Sequence, residues 1–214
     1  MFRKLNITKI QFSIILLILI YVTGFIGIVA SKNPIDFLSL TPLNLGISAI
    51  LLFINHEKGF RNQVFIFILI AILGYFVEVL GVNIGAIFGE YAYGKTLGWK
   101  VFETPLMIGV NWILLTYATV YSLEKYIQTK WILALFSSLV LVSLDFLIEP
   151  IAITYDFWTW TNAQIPVQNY VAWYFIAVVF CFALAHFKRN SLNKFAPFLL
   201  FIQFLFFGIL NFTN

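Results

Sequence analysis

WILALFSSLVLVSLDFLIEPIAI, residues 131–153, is an apolar run of membrane length that carries two acids, Asp145 and Glu149, and no basic residue. Crossing the hydrocarbon core takes roughly 20 apolar residues in helical form. In lipid the backbone must satisfy its own hydrogen bonds, so such a run reads as a helix. Six further segments have the same character: Ile10–Val29, Phe37–Ile54, Val64–Val82, Val101–Tyr121, Tyr170–Phe187 and Phe195–Phe212. The connections are short. The expected fold is therefore all-α: a polytopic integral membrane protein whose seven helices form one bundle, a single domain over residues 1–214.

Composition agrees with this. The chain is 62% hydrophobic and 10% charged, against about 25% charged for a typical soluble domain, and its mean hydropathy is +0.95. The first span follows the basic residues Arg3, Lys4 and Lys9, as a signal peptide would. Its apolar run is too long for that role and lacks a small-residue cleavage site, so it reads as a retained helix.

The formal charge of +4 would fit a nucleic-acid partner, but the placement of the charges does not. With the N-terminus cytoplasmic, Arg3, Lys4, Lys9, Lys58, Arg61, Lys125, Lys130, Lys188, Arg189 and Lys194 fall inside, and Lys32, Lys95 and Lys100 outside. Ten against three is the bias that the positive-inside rule requires. The basic residues set topology in a cytoplasmic (inner) membrane, with the lipid bilayer and not nucleic acid as partner. Two histidines and one cysteine, Cys181, make no metal-ligand pattern. No phosphate loop, dinucleotide fingerprint, haem motif or nucleophile elbow is present, so no metal or cofactor is expected.

Four acids lie within the apolar stretches: Glu78, Glu103, Asp145 and Glu149. An ionisable group in hydrocarbon costs roughly 2.5 kcal/mol or more, which makes each a functional-site candidate. In the topology above all four fall in the outer half of the membrane. Aromatic residues gather there too, in the segments Gly85–Gly98 and Tyr155–Pro166. Trp99, Trp112, Trp158, Trp160 and Trp173 belong to this side, with Trp131 alone at the inner face. An interfacial belt would occupy both faces. A lined cavity near the outer leaflet accounts better for the imbalance.

A weak internal repeat runs through the same region. Glu78 is followed by Tyr91-x-Tyr93, Pro105 and Trp112; Glu149 is followed by Trp158-x-Trp160, Pro166 and Trp173. Each half reads as a helix–loop–helix hairpin of the same orientation, so parallel duplication with a site between the halves is expected. Asp145 and Glu149 are four apart and share a helix face, although the residue before Pro150 is biased away from helix. Two carboxyls so close in low dielectric cannot both ionise comfortably, so one should keep its proton. Glu78 joins them if the third and fifth helices pack. Three uses fit: a proton relay, a cation site of a transporter, or a general acid acting on a lipid-soluble substrate. The third makes most use of the aromatic faces, which stabilise a carbocation. Asn111 and Asn169 stand near the two tryptophans and could hold a water.

The stretches Gly74–Gly85 and Gly89–Tyr93, with Pro105 and Trp112, resemble the membrane carotenoid-biosynthesis proteins. So does the second block: Asp145 to Pro150, Trp158-Thr-Trp160, Ile165-Pro166 and Asn169 to Trp173. That family includes the carotenoid 1',2'-hydratases and the hydratase of the bacterioruberin pathway. The resemblance covers about Gly74 to Trp173. Glu149 stands where the family has an aspartate before proline, Ala172 where it has glycine, and Glu103 where a small residue is expected. The resemblance implies a cofactor-free hydratase that adds water to the terminal double bond of an acyclic carotenoid. Asp145, Glu149 or Glu78 would be the acid; Tyr91, Tyr93, Trp112, Trp158, Trp160, Asn169 and Trp173 would line the substrate site. The alternatives are a carotenoid cyclase, which protonates the same end group but excludes water, and a non-enzymatic carotenoid-binding protein. The sequence leaves the oligomeric state open.

Overall fold

The computed structural model describes residues 7–57, 59–161, 163–187 and 192–213. In chain order its elements are α1 Lys9–Ala30, α2 Pro34–Leu38, α3 Thr41–Ile54, α4 Phe60–Ile84, β1 Tyr91–Tyr93, β2 Lys100–Val101, β3 Thr104–Pro105, α5 Met107–Leu123, α6 Lys130–Thr154, β4 Trp158–Trp160, α7 Val167–Phe187 and α8 Ala196–Thr213. Short α2 continues into α3 across Ser39 and Leu40, and together they make one apolar rod, Pro34–Ile54. The result is an all-α polytopic membrane protein with seven helical rods among the described residues, six of them long and apolar enough to cross a bilayer. Helix α1 opens on a capping box, in which Thr8 Oγ1 accepts from the Gln11 amide and Gln11 reaches back to the Thr8 amide. Outward-facing positions such as Phe65, Phe136, Phe175 and Phe201 are exposed and apolar, as a lipid-facing surface requires.

Helix α5 holds the centre. Every residue from Trp112 to Ser122 is buried, and α5 packs against α3, α4, α6, α7 and α8. A helix buried all round need not be long, and α5 has 17 residues. The span expected over Val101–Tyr121 therefore starts six residues late. Val101 to Pro105 instead forms the small antiparallel pair β2–β3, turned at Phe102 and Glu103, whose φ angles are 49° and 60°. This corrects the reading of Glu103 as part of the fourth span, because it lies at the tip of that turn, ahead of α5, with its side chain exposed.

Pro150 does not end its helix either: α6 continues to Thr154. A proline there costs one backbone hydrogen bond and tends to kink the helix. The last turn is held instead by bonds such as the Thr154 hydroxyl donating to the Pro150 carbonyl.

The seven rods put the start of α1, the end of α3, the start of α4, the end of α5 and the starts of α6 and α8 at one end of the bundle. Lys9, Arg61, Lys125, Lys130 and Lys194 all belong to that end. Arg3, Lys4, Lys58, Lys188 and Arg189, also assigned to the cytoplasmic side, lie outside the described residues. The two aromatic loops meet at the opposite end, where β1 pairs antiparallel with β4.

Candidate functional site

The register of that strand pair organises the site. Tyr91 faces Trp160, Ala92 faces Thr159 and Tyr93 faces Trp158. Strand side chains alternate, so Ala92 and Thr159 point outward while the four aromatic rings turn into the bundle. Tyr91 and Trp160 lie with ring centroids 5.1 Å apart, and Tyr93 and Trp158 6.1 Å apart. The sharp entry to β4 puts Asp156 at φ 55°. The turn is tied down by the Lys95 amide donating to Asp156 Oδ2 (3.2 Å) and the Gly94 amide donating to the Phe157 carbonyl (2.9 Å).

Each buried glutamate is then gripped by the strand of its own half. Tyr91 and Tyr93 donate to Glu78 Oε2 at 2.6 and 2.7 Å, and Trp112 Nε1 donates to Oε1 at 3.1 Å. Trp158 and Trp160 donate to Glu149 Oε2 at 2.9 and 3.0 Å, and Asn169 Nδ2 donates to Oε1 at 2.9 Å. In both halves, residues i and i+2 of a strand share one carboxyl oxygen, while the following helix serves the other. The repeat seen in sequence is thus repeated in the hydrogen bonding. It is incomplete at the third donor, since Trp112 bonds Glu78 while Trp173, its counterpart, stacks flat on Trp112 with centroids 4.1 Å apart.

Burial pushes the Tyr91 and Tyr93 hydroxyls well above the ordinary phenol range, and the Glu78 carboxyl beside them adds to this. Both remain donors under ordinary conditions. Lys100 donates its ammonium to the Tyr93 carbonyl, on the backbone rather than on the acids.

Asp145 sits one turn before Glu149, 3% exposed, and its Oδ2 has no hydrogen-bond partner among the described residues. All three acids line one cavity of about 390 Å³. Tyr91, Tyr93, Trp158, Trp160, Asn169 and Trp173 line it as well, and no lysine, arginine or histidine does among the described residues. Trp112 stands behind the wall, fully buried. The acids meet less by direct packing of α4 on α6 than through the β1–β4 pair and the close packing of α4 on α5 and α7. The cavity's lipid-facing edge includes exposed Leu19, Leu40 and Leu43. No three of the described His, Cys, Asp and Glu residues are grouped to hold a metal ion.

The far side of the cavity was not legible in sequence. Tyr21 and Thr23 of α1, Asn44 of α3 and Gln203 of α8 line it. Gln203 is, with Asn211, one of two uncharged amides in a largely apolar span, a signal of the same kind as the acids but weaker.

Such a site can donate a proton into an apolar chamber and face a developing cation with carboxyl groups and ring faces. No curated protein and no solved structure matches the chain. The family described as carotenoid biosynthesis protein matches residues 40–213, which includes every residue of the acid cluster. The chain is a member of the carotenoid biosynthesis protein family.

Proposed function

We propose that the protein is a hydratase of carotenoid biosynthesis, adding water across the terminal carbon–carbon double bond of an acyclic carotenoid end group without a redox step. The observation that carries this reading is the contrast between the acids. Glu78 and Glu149 each accept three donors, whereas Asp145, also lining the cavity, keeps a buried Oδ2 that no described residue hydrogen-bonds. Asp145 therefore acts as the acid. Its proton goes to the less substituted alkene carbon, and the π pair forms that C–H bond, leaving a tertiary cation. Water adds to the cation, and the proton released from the resulting oxonium returns to a carboxylate. One water is consumed and no electron is transferred.

Glu78 and Glu149 face the cation with carboxyl oxygens held by pre-oriented donors, which need no reorganisation during the step. The Tyr91, Tyr93, Trp158 and Trp160 rings supply cation–π attraction. Hydrocarbon enters from lipid past Leu19, Leu40 and Leu43. By the positive-inside rule the site lies in the outer half of the cytoplasmic membrane.

The test is expression in a host that accumulates lycopene or a related acyclic carotenoid, with pigment mass measured. A gain of one water per reacted end is expected, and it should vanish with Asp145→Asn. An isomer of unchanged mass would mean cyclisation instead. Unaltered pigment across several acyclic substrates would sink both.

A further inference from the structure

A second polar cluster lies in the same cavity, away from the acids. Gln203 is 3% exposed and lines the cavity, yet its Oε1 has no hydrogen-bond partner among the described residues. The Tyr21 hydroxyl interacts with Gln203, Ser48 and Asn44, and the Ser48 hydroxyl donates to Asn44 Oδ1 at 3.2 Å. These groups come from α1, α3 and α8, none of which carries one of the three acids.

The depth of the cluster follows from one bond. Asn211 Nδ2 donates to the Leu147 carbonyl at 2.7 Å, which sets α8 level with α6 at those residues. Both helices run the same way. Gln203, eight residues before Asn211, is therefore about 12 Å deeper, and Asp145 about 3 Å deeper, at about 1.5 Å per residue. The two unpartnered oxygens are thus about 9 Å apart along the bundle. Between them the wall is apolar, formed by residues such as Leu115, Ile148 and Phe207.

The cluster is neutral and its unpartnered atom is an acceptor, so its ligand must bring a donor, and in an apolar chamber an uncharged O–H is the donor that fits. That chemistry belongs to water or to a hydroxyl on a larger molecule. A buried water needs two to four polar partners, which Gln203, Tyr21 and Asn44 can supply, with Ser48 holding Asn44 from behind. Apolar surface alone would leave the space dry. At about 2.8 Å per hydrogen-bonded step, about two waters in file bridge the distance from Gln203 to Asp145. We propose that Gln203, Tyr21, Asn44 and Ser48 form a water site that feeds the carboxylate end of the cavity. This rests on the hydratase reading for its role but not for its existence.

Two measurements test it separately. An experimental structure that resolves ordered water should place one within hydrogen-bond distance of Gln203 Oε1. A dry floor, or a hydroxyl of a larger ligand there, overturns the proposal whatever the protein catalyses. The second compares wild type with Gln203→Leu and the closer-fitting Gln203→Met on an acyclic carotenoid in D2O. Hydrated product should fall at least 10-fold. Deuterium entering the unreacted end group, which reports protonation and reversal, should stay within 2-fold. Unchanged hydration overturns the water site, as does loss of both signals in a variant that still binds carotenoid. Absence of hydration in wild type, with water present at Gln203, overturns the hydratase reading and leaves the site standing.

Discussion

Trp112 and Trp173 stack face to face, ring centroids 4.1 Å apart and planes 16° from parallel, at equivalent positions seven residues after Pro105 and Pro166. The stack joins the two hairpins at their centre, and Trp112 passes the constraint on to Glu78 through its N–H. Two indoles so close couple optically. Near-ultraviolet circular dichroism of the purified protein should carry an exciton band lost in both Trp112→Phe and Trp173→Phe. Only Trp112→Phe also deprives a buried carboxyl of a donor, worth about 1.5–3 kcal/mol. It should therefore unfold at the lower temperature of the two, and the reverse order would contradict the assignment.

Gly74 is small because of the same indole. A methyl placed there would come within 2.5 Å of Trp112 Cγ and 2.6 Å of its Cβ, atoms near the backbone that cannot swing away. Gly74→Ala should cost about 1–3 kcal/mol by overpacking. Gly208 in α8 meets nothing within 4 Å of such a methyl. Gly208→Ala should be neutral or stabilising by up to about 1 kcal/mol, from helix propensity. Thermal scans of both variants in one detergent check the contrast.

The strand register makes a covalent prediction. Ala92 and Thr159 are direct partners with exposed side chains, and paired residues of antiparallel strands have Cα atoms about 4.5–5.5 Å apart, within the roughly 4.4–6.8 Å that a disulfide spans. Ala92→Cys with Thr159→Cys should form a disulfide. The native Cys181 is buried and should not compete. Formation in growing cells without added oxidant would also put this end of the bundle in an oxidising compartment, as the proposed orientation requires. A pair that stays reduced in cells yet closes with oxidant in purified protein would keep the register and reverse the orientation.

Hydropathy located the rods because lipid-facing helices must be apolar over their length, and the expected spans match within a few residues except at α5. There the window average hid a turn. Val101, Phe102, Pro105 and Leu106 are all apolar or neutral, and the left-handed φ angles at Phe102 and Glu103 leave no trace in composition. The acids stood out because ionisable groups are costly in hydrocarbon, whereas Gln203, Tyr21 and Asn44 are neutral and blended into their spans. Strands of three residues are too short for alternation to register. Their only signal was the doubled pattern of Tyr91-x-Tyr93 and Trp158-x-Trp160, which the structure resolves into matching grips on two carboxyls.

Alkaline titration should single out the tyrosines of that grip. In the unfolded chain Tyr91 and Tyr93 ionise near pH 10, while burial holds both hydroxyls well above this in the folded protein. Above pH 10 the unfolded state therefore binds fewer protons than the folded one, and stability falls as pH rises, by about 1.4 kcal/mol per unit for each phenol. Denaturant midpoints measured between pH 9 and 11 should decline less steeply in Tyr91→Phe than in wild type. Equal slopes would mean that Tyr91 is solvated.

Replacing each acid by its amide separates holding from chemistry. Glu149 receives N–H donors from Trp158, Trp160 and Asn169. In Glu149→Gln the new NH2 can avoid the Trp158 and Trp160 donors only at the Oε1 position, where the Asn169 amide must flip to accept it, and failure to do so costs about 1–3 kcal/mol. Glu78→Gln is gentler, because the Tyr91 and Tyr93 hydroxyls can rotate to accept. Asp145→Asn meets no such conflict, since its Oδ2 has no hydrogen-bond partner among the described residues and can become the new NH2 without opposing a donor. It should fold with near wild-type stability while losing about 100-fold or more of its hydration rate, the usual contribution of a general acid. A stable Asp145→Asn that hydrates normally would move the acid role to Glu78 or Glu149. Purified variants compared by both melting temperature and pigment mass make the distinction, because only the acid should lose activity without losing stability.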